Sequence, residues 1–407
     1  METSAGNWCF NRVSPFQVGL VGLGGYAGSL CDILVSRFAA PDSVARLTAV
    51  CEPDRATHAA RIEQLTNRGI RYFSASDELL ASDVHGVCLP LPIDLHRPFT
   101  ERACAAGKHV LCEKPSAGSV DDLDAMIAAR DRAGVAVAIG FQHIYDPATI
   151  ERKRAMLRGP RPDAATVLAC WPRDAAYYSR NAWAGRLRRN NAWVLDSPAN
   201  NALAHYINLA LFLLGPDLPT SATPVAVAAE LYRVNEIENY DTCALRISTD
   251  TASELLVFLT HACRETIDPQ ISFRAGGAPI AAEHGAGGAT MDKPDLRVAM
   301  FRKFARWARG GDEIVATLEV SRSHLVVVNG ASQCTPVHAI PANFRETLQR
   351  ENSTVTTIAG IESVFRSCAD QRRLPSELEV PWAQPAGELD VRNYSHFPGP
   401  ATSTIQR

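Results

Sequence analysis

Residues 16–38, FQVGLVGLGGYAGSLCDILVSRF, pass from a short apolar strand, about Gln17 to Val21, through clustered glycines into a helix beginning near Tyr26. A strand that turns directly into a helix returns to its own sheet by a crossover, which makes the next strand parallel. This segment therefore commits the chain to an α/β beginning. Gly22, Gly24 and Ala27 form the spacing G-x-G-x-x-A, with Gly25 and Gly28 as further small positions. Such glycines let main chain and a pyrophosphate approach each other at a helix N-terminus. Taken alone, the same spacing also occurs in plain tight turns.

The residues that follow supply context. ARLTAVCEPD reads as the second strand and ends at Glu52, roughly two dozen residues past the glycine turn, where a ribose-binding acid belongs. A carboxylate there accepts the adenosine-ribose hydroxyls of NAD and repels the extra phosphate of NADP unless Arg55 folds in. NAD is the expected cofactor and NADP the disfavoured one; the competing reading is a solvated loop acid. A helix about Ala56 to Asn67, a strand near Ile70 to Phe73 and a helix from Asp77 come next. Val87 to Leu89 form a strand stopped by Pro90 and Pro92, Pro98 to Ala106 a helix, and His109 to Cys112 a further strand. Ligands of such sheets bind at the carboxyl ends of the strands. Leu89 to Pro92 and the dipeptide Glu113-Lys114 both sit there, so the dipeptide borders the cofactor instead of being a solvated ion pair.

Asp121 to Ala133 read as a helix and Val135 to Gly140 as a strand, giving a doubly wound, parallel nucleotide-binding domain over residues 1–145. Residues 146–380 carry strands at Ala165 to Cys170, Val225 to Tyr232, Thr242 to Ile247, Glu254 to Thr260 and Ile271 to Arg274, with fewer helices between. That pattern predicts an α+β substrate domain with an open, mostly antiparallel sheet. AGGAPIAAEHGAGGAT, residues 275–290, reads as a loop or hairpin, Val355 to Gln371 as a helix, and residues 381–407 as an extended arm.

A length of 407 residues suits two cores. A formal net charge of -3 with 21% charged residues recruits neither nucleic acid nor an anionic membrane, so the expected partner is small. Eleven scattered cysteines without a CxxC pair read as reduced thiols. Residues 1–17 lack a leader pattern and no apolar run reaches about 18 residues, so a cytoplasmic protein is expected. The histidines are dispersed without zinc-ligand spacing, and no metal is expected.

The glycine turn, LPIDLH ending in His96, AAGKHVLCEKP, and the later HYINLALFLLG together resemble the Gfo/Idh/MocA oxidoreductase family over most of residues 15–375. The resemblance implies a cofactor site bordered by Gly22, Gly24, Gly25, Tyr26, Ala27, Glu52, Leu89, Pro90, Pro92, His96, Glu113 and Lys114. It also implies that Lys114 lies near nicotinamide and substrate, and that His205 faces the substrate and acts in proton transfer. Elementary chemistry agrees about Lys114. Oxidising an alcohol removes a proton from oxygen as hydride leaves carbon, and a lysine whose pKa is lowered by burial beside a positive ring can take that proton. Glu113 orients it.

The chain also departs from the family. Many members have aspartate four residues before this histidine and three after it, where this chain has Asn201 and Asn208. The helix predicted from about Asn201 to Leu214 would carry Asn201, His205 and Asn208 on one face. Asparagine orients a hydroxyl but accepts no proton, so Asp196, in LDSPANN, either supplies the missing charge or, with Ser197, caps the helix.

Trp171, Trp183 and Trp193, three of six tryptophans, fall within 23 residues that also hold Tyr177, Tyr178, Arg173, Arg180, Arg186, Arg188 and Arg189. Aromatic rings stack on sugar C–H faces while Arg and Asn bond hydroxyls or a carboxylate; a subunit interface has the same composition. On the first reading Tyr177 and Trp183 stack, Arg180 selects an acidic or polyhydroxylated group, and Asn200 with Asn201 orients hydroxyls.

The expected activity is NAD-dependent hydride transfer with a secondary alcohol of a sugar, cyclitol or glycoside, Lys114 and His205 sharing the proton beside Asp196 and Asn201. The alternatives are a glycosidase or lyase that oxidises its sugar transiently, as the resemblance allows, and a non-enzymatic NAD-sensing protein. An open sheet leaves a face for a second subunit, and a homodimer or homotetramer is expected.

Overall fold

The computed structural model describes residues 14–40, 42–280, 293–350 and 353–402. The loop expected over 275–290 lies outside the described residues from 281 onward, as do the last five residues of the arm. No helix among the described residues is long and apolar enough to cross a membrane.

The first part of the chain alternates strand and helix: β1 Phe16–Val21, α1 Gly25–Arg37, β2 Ala45–Cys51, α2 Ala59–Thr66, β3 Arg71–Phe73, α3 Ser76–Ala81, β4 Gly86–Leu89, α4 His96–Ala105, β5 His109–Cys112, α5 Val120–Ala133 and β6 Val137–Ile139. The six strands pair in the order β3-β2-β1-β4-β5-β6, all parallel. β4 and β6 are apolar and buried on both faces, as a sheet sandwiched between helices requires. Helix ends follow local chemistry: Ser119 Oγ accepts from Asp122 N at 3.2 Å to start α5, and Gly134 at φ 64° stops it. The strand order reverses between β1 and β4, so a crevice opens at their carboxyl ends.

The second part holds α6 Pro147–Arg158, β7 Ala164–Cys170, α7 Ala175–Ser179, β8 Arg188–Arg189, β9 Ala192–Trp193, α8 Ala204–Leu214, β10 Pro224–Arg233, β11 Thr242–Thr249, β12 Glu254–Thr260, β13 Ile267–Ala275, β14 Ala278–Pro279, α9 Lys293–Trp307, α10 Leu318–Cys334, β15 Val337–Ala339, β16 Arg345–Arg350, β17 Ser353–Ile358, α11 Ile361–Gln371 and β18 Gly387–Asp390. Its main sheet runs β14-β13-β7-β12-β11-β10-β15, with β18 also on β10. The β7–β12 and β10–β15 pairs are parallel and the others antiparallel.

Four features differ from the sequence reading. α8 begins at Ala204, because Pro198 and the Asn200-Asn201 pair favour a turn, closed by Leu203 N donating to Pro198 O at 3.0 Å. Asn201 therefore stands before the helix, not on its His205 face. Residues 353–358, STVTTI, are β-branched and pair with β16, and Gly360 at φ 69° separates them from α11, which is the shorter helix actually formed. α9 was not read from the sequence and packs across onto the first sheet, with Phe301 against Phe38 (ring centroids 6.1 Å) and Phe304 against Phe16 (5.7 Å).

Finally, the second sheet is open as expected, with β14 and β15 at its two ends, but it is covered on both faces. Along β12, Leu255, Val257 and Leu259 enter the core shared with α8 and α10, while Leu256 and Phe258 face Ile358, Ile361, Phe365, Cys368 and Trp382. The chain's own segment from Ile358 to Trp382 covers that second face.

Candidate active site

The crevice begins at the glycine turn. Gly22 takes φ 95°, a region open to glycine, and its N–H reaches Cys51 O at 2.8 Å, joining β1 to the end of β2. At Gly28 a Cβ would stand 2.9 Å from Leu23 O, so α1 packs against the turn as closely as it does because no side chain intervenes. The first turn of α1 carries no acidic residue and no side-chain cap, and Ala27 is buried within it. Its N–H groups and positive dipole end are left for an anion, so these residues fit a dinucleotide pyrophosphate.

Glu52 is buried, with Oε2 accepting from Leu23 N at 2.8 Å and Oε1 from Asp54 N at 3.0 Å, which ties the glycine turn to the end of β2. His58 Nε2 lies 3.8 Å from the same carboxylate. A carboxylate has lone pairs beyond these two bonds for ribose hydroxyls. Arg55 stacks over Tyr72, its guanidinium carbon 5.7 Å from the ring centre.

At the end of β4, Leu89 is buried and Pro90 and Pro92 are partly exposed. His96 is fully buried, with Nδ1 2.9 Å from Pro115 O and Nε2 2.8 Å from Leu91 O. Burial lowers its pKa, and the neutral ring donates to one of these carbonyls. The ring thus fastens the turn after β4 to the turn after β5 and presents no group to a cofactor.

Glu113 and Lys114 leave β5 side by side, before a cis peptide bond at Pro115. Glu113 is buried, Oε2 accepts from Lys114 N at 3.1 Å, and Gly140 makes room for it, since a Cβ there would lie 2.8 Å from Oε1. Burial pushes its carboxyl up to about 7, against the opposing pull of Lys114, Arg297 and Tyr26. Tyr26 is 40% exposed, with the Arg297 guanidinium carbon 4.9 Å from its ring centre.

This shift has a measurable consequence. The folded state holds the Glu113 proton to about 7 whereas an unperturbed carboxyl releases it near 4.5, so between those values the unfolded chain binds fewer protons and stability falls as pH rises. Glu113→Gln is expected to remove that loss, on the order of 3 kcal/mol at most. Urea midpoints at pH 5 and pH 8 test it: the variant gains on wild type between the two, and parallel profiles refute the assignment.

Lys114 Nζ donates to Asn201 O at 2.7 Å and, more weakly, to Asn201 Oδ1 at 3.4 Å. Asn201 Nδ2 donates to Asp196 Oδ1 at 2.6 Å, and Gly185 N to Asp196 Oδ2 at 2.6 Å. Burial holds the Lys114 ammonium below the usual lysine range, helped by Arg180 and opposed by Glu113 and Asp196. Burial likewise pushes the Asp196 carboxyl up. Asp196 does not cap α8; it carries charge to Lys114 through the Asn201 amide.

His205 lies among aromatic rings, 5.3 Å from His143, 5.8 Å from Phe141 and 6.5 Å from Tyr206 by centroids. Sequence reasoning missed His324 of α10, whose run SHLVVV reads as plain core. Its Nε2 donates to Ala199 O at 2.8 Å, its ring stacks edge-on with Phe141 at 5.5 Å, and burial, with Lys114 nearby, pushes it down to about 4. Asn200 is fully buried and its Nδ2 donates to Val194 O at 3.0 Å, which pins the loop, while its Oδ1 has no partner among the described residues.

The aromatic and arginine segment splits in two. Arg180 stacks 3.5 Å from the Tyr177 ring centre and 5.6 Å from that of Trp183, in electrostatic reach of Lys114 and Asp196. That face of Tyr177 is covered by a guanidinium. The β8–β9 hairpin instead docks on the first half of the chain, where Arg189 meets Asp94 at 2.8 Å, while Arg188 and Phe397 enclose Trp193. Part of the segment is therefore an interface, but within one chain.

Residues 16–141 match the profile of the oxidoreductase family with the NAD-binding Rossmann fold. The chain is 32% identical over 160 residues to inositol 2-dehydrogenase of Rubrobacter xylanophilus, covering 39% of this chain and 44% of that protein. It is 27% identical over 244 residues to D-apiose dehydrogenase of Paraburkholderia graminis, covering 58% of this chain and 59% of that protein. The matches thus span less than two thirds of either relative. The fold is similar to that of the WlbA dehydrogenase of Bordetella pertussis, solved in complex with NADH and UDP-GlcNAcA, with a TM-score of 0.63 at 22% identity over 77% of this chain and 94% of that one.

Proposed function

We propose, from a nucleotide-binding domain that belongs to the Gfo/Idh/MocA oxidoreductase family, that this chain oxidises a secondary alcohol of a sugar, cyclitol or glycoside with NAD. The observation that carries this reading is the chain Lys114–Asn201–Asp196 at the carboxyl end of β5, beside the glycine turn. Residues 1–145 hold the cofactor, residues 146–380 the substrate, and residues 381–407 form the arm. With ten free cysteines among the described residues, the cytoplasm is the compartment we assign.

Bound NAD supplies the hydride acceptor. The work left to the protein is to orient the alcohol and take its proton. Lys114 does so as the neutral amine, which burial favours over the ammonium, and the Asp196 charge, relayed through the Asn201 amide, steadies the ammonium once it forms. Asn201 moves no proton; its carbonyls fix the direction of Nζ. His205 is the second proton acceptor of this reading, and Trp183 with Arg180 lines the far side of the sugar.

The test combines NAD with a panel of sugars, cyclitols and glycosides, following NADH by absorbance and products by mass spectrometry. A keto-sugar formed in step with NADH is the expected result. An aglycone released without NADH would make the protein a redox-assisted glycosidase or lyase, and tight NAD binding with no turnover would make it a sensor.

A further inference from the structure

Arg173 and Arg180 both stack on Tyr177 in the candidate site. Arg97, Arg130, Arg246, Arg322 and Arg372 each meet a carboxylate. Arg173 and Arg180 have no such partner among the described residues. Both instead lie over the Tyr177 ring, at 4.8 and 3.5 Å from its centre, and each donates to a main-chain carbonyl: Arg180 to Tyr177 O at 2.6 Å and Arg173 to Pro172 O at 3.4 Å. Stacking on an aromatic face holds a guanidinium still while leaving its edge donors free.

The surroundings lack polar partners in the same way. His261 is 2% exposed, its ring 5.9 Å from that of Tyr177, with Nδ1 2.8 Å from Trp171 O. Its Nε2 has no partner among the described residues, and neither have Tyr178 Oη and Arg173 Nε. A buried group of this kind is costly unless something completes it. Burial and the two guanidiniums push the His261 ring down to about 3, so it stays neutral and adds no further cation. Asp196, the acid whose charge reaches Arg180, already has its oxygens on Gly185 N and Asn201 Nδ2. This wall thus carries two guanidiniums without a carboxylate partner, Arg173 and Arg180, and the acids near them are already bonded: Asp196 as above, and Asp241, behind Tyr178, by Val234 N, Asn235 N and Nδ2, and Thr242 Oγ1.

We infer that the substrate is an anionic sugar, with a carboxylate or phosphate substituent held by Arg173 and Arg180 and bonded by Tyr178 Oη. This rests on the sugar-dehydrogenase reading for the ring that bears the anion, and it narrows the substrate class to one that a neutral polyol does not satisfy. Planar guanidinium donors match either oxyanion, so the experiment separates the two.

Wild type, Arg180→Met and Arg180→Lys are compared with a hexuronate, the hexose of the same configuration and its 6-phosphate, by calorimetric titration into the protein–NAD complex and by steady-state kinetics. Arg180 is exposed, so its replacement empties no core site, and matched urea midpoints of the variants and wild type check that the fold is kept. One of the two anions is expected to bind at least about 10-fold more tightly than the neutral hexose, and Arg180→Met to weaken that anion by about 10- to 100-fold with little change for the hexose. Arg180→Lys, which keeps charge but not the planar fork, recovers part of the loss. Equal affinities for anion and hexose, or an equal effect of Arg180→Met on both, overturn the inference and leave the guanidiniums as props for Tyr177. Selective anion binding without turnover would uphold the inference while defeating the hydride-transfer reading; turnover of neutral sugars alone would do the reverse.

Discussion

Lys114→Ala is expected to lower kcat for sugar oxidation by roughly 10²- to 10⁴-fold, the usual worth of a positioned general base, while NAD affinity, read by tryptophan quenching, changes little. The split follows from position. The lysine stands two residues beyond β5 with Nζ on Asn201, whereas the pyrophosphate fits the glycine turn at the end of β1. Lys114→Arg should fail to restore the rate, because a guanidinium gives up no proton and its fork cannot take the single line from Nζ to the Asn201 carbonyl. Asn201→Ala should cost less, since it disturbs the lysine's direction and its link to Asp196 without removing the base. A Lys114→Ala enzyme with wild-type kcat would return Glu113-Lys114 to an ordinary ion pair at a strand end.

The second large effect is on stability. Phe365→Ala is expected to cost about 3–5 kcal/mol, the range for emptying a phenylalanine site in a packed core. Phe365 is fully buried, with its ring 5.5 Å from Phe258 of β12, inside the cluster that α11, Ile358 and Trp382 build on the second sheet. Were this face of the sheet reserved for another subunit, truncation there would change assembly more than unfolding. Urea denaturation and sedimentation of the same variant separate the cases: a large fall in the midpoint with unchanged molecular mass is expected, and a loss below about 1 kcal/mol would show the cap to be peripheral.

What the sequence revealed and what it concealed follow from the range of the interactions. His109–Cys112 and Glu254–Thr260 were legible to the residue, because a strand bounded by Gly or Pro and polar residues is a local pattern. The glycine turn, Glu52 and Glu113-Lys114 were legible as sites because parallel strands end on one side. Asn201 was misplaced by one turn of helix, since periodicity continued past the point where Pro198 had already imposed a turn. His324 and the burial of Asn200 were not legible at all: each is defined by partners, Ala199 for the one and Val194 for the other, that a linear pattern does not identify. One signal was present and overlooked. ELLVFLT in β12 is apolar on both of its alternating faces, and a strand of that kind has something packed on each side.

β10 pairs at once with β11, with β15 and with β18, and the apolar faces of Phe16 and Phe38 are covered by α9. During translation, then, the nascent nucleotide domain emerges with part of its surface bare until a helix some 150 residues later leaves the ribosome, and the second sheet stays uncapped until the final stretch is released. A stalled or prematurely terminated chain presents both unfinished surfaces together, which makes it a client for chaperones and a target for proteolysis, and makes any fusion at the carboxyl end a burden on the last step of maturation.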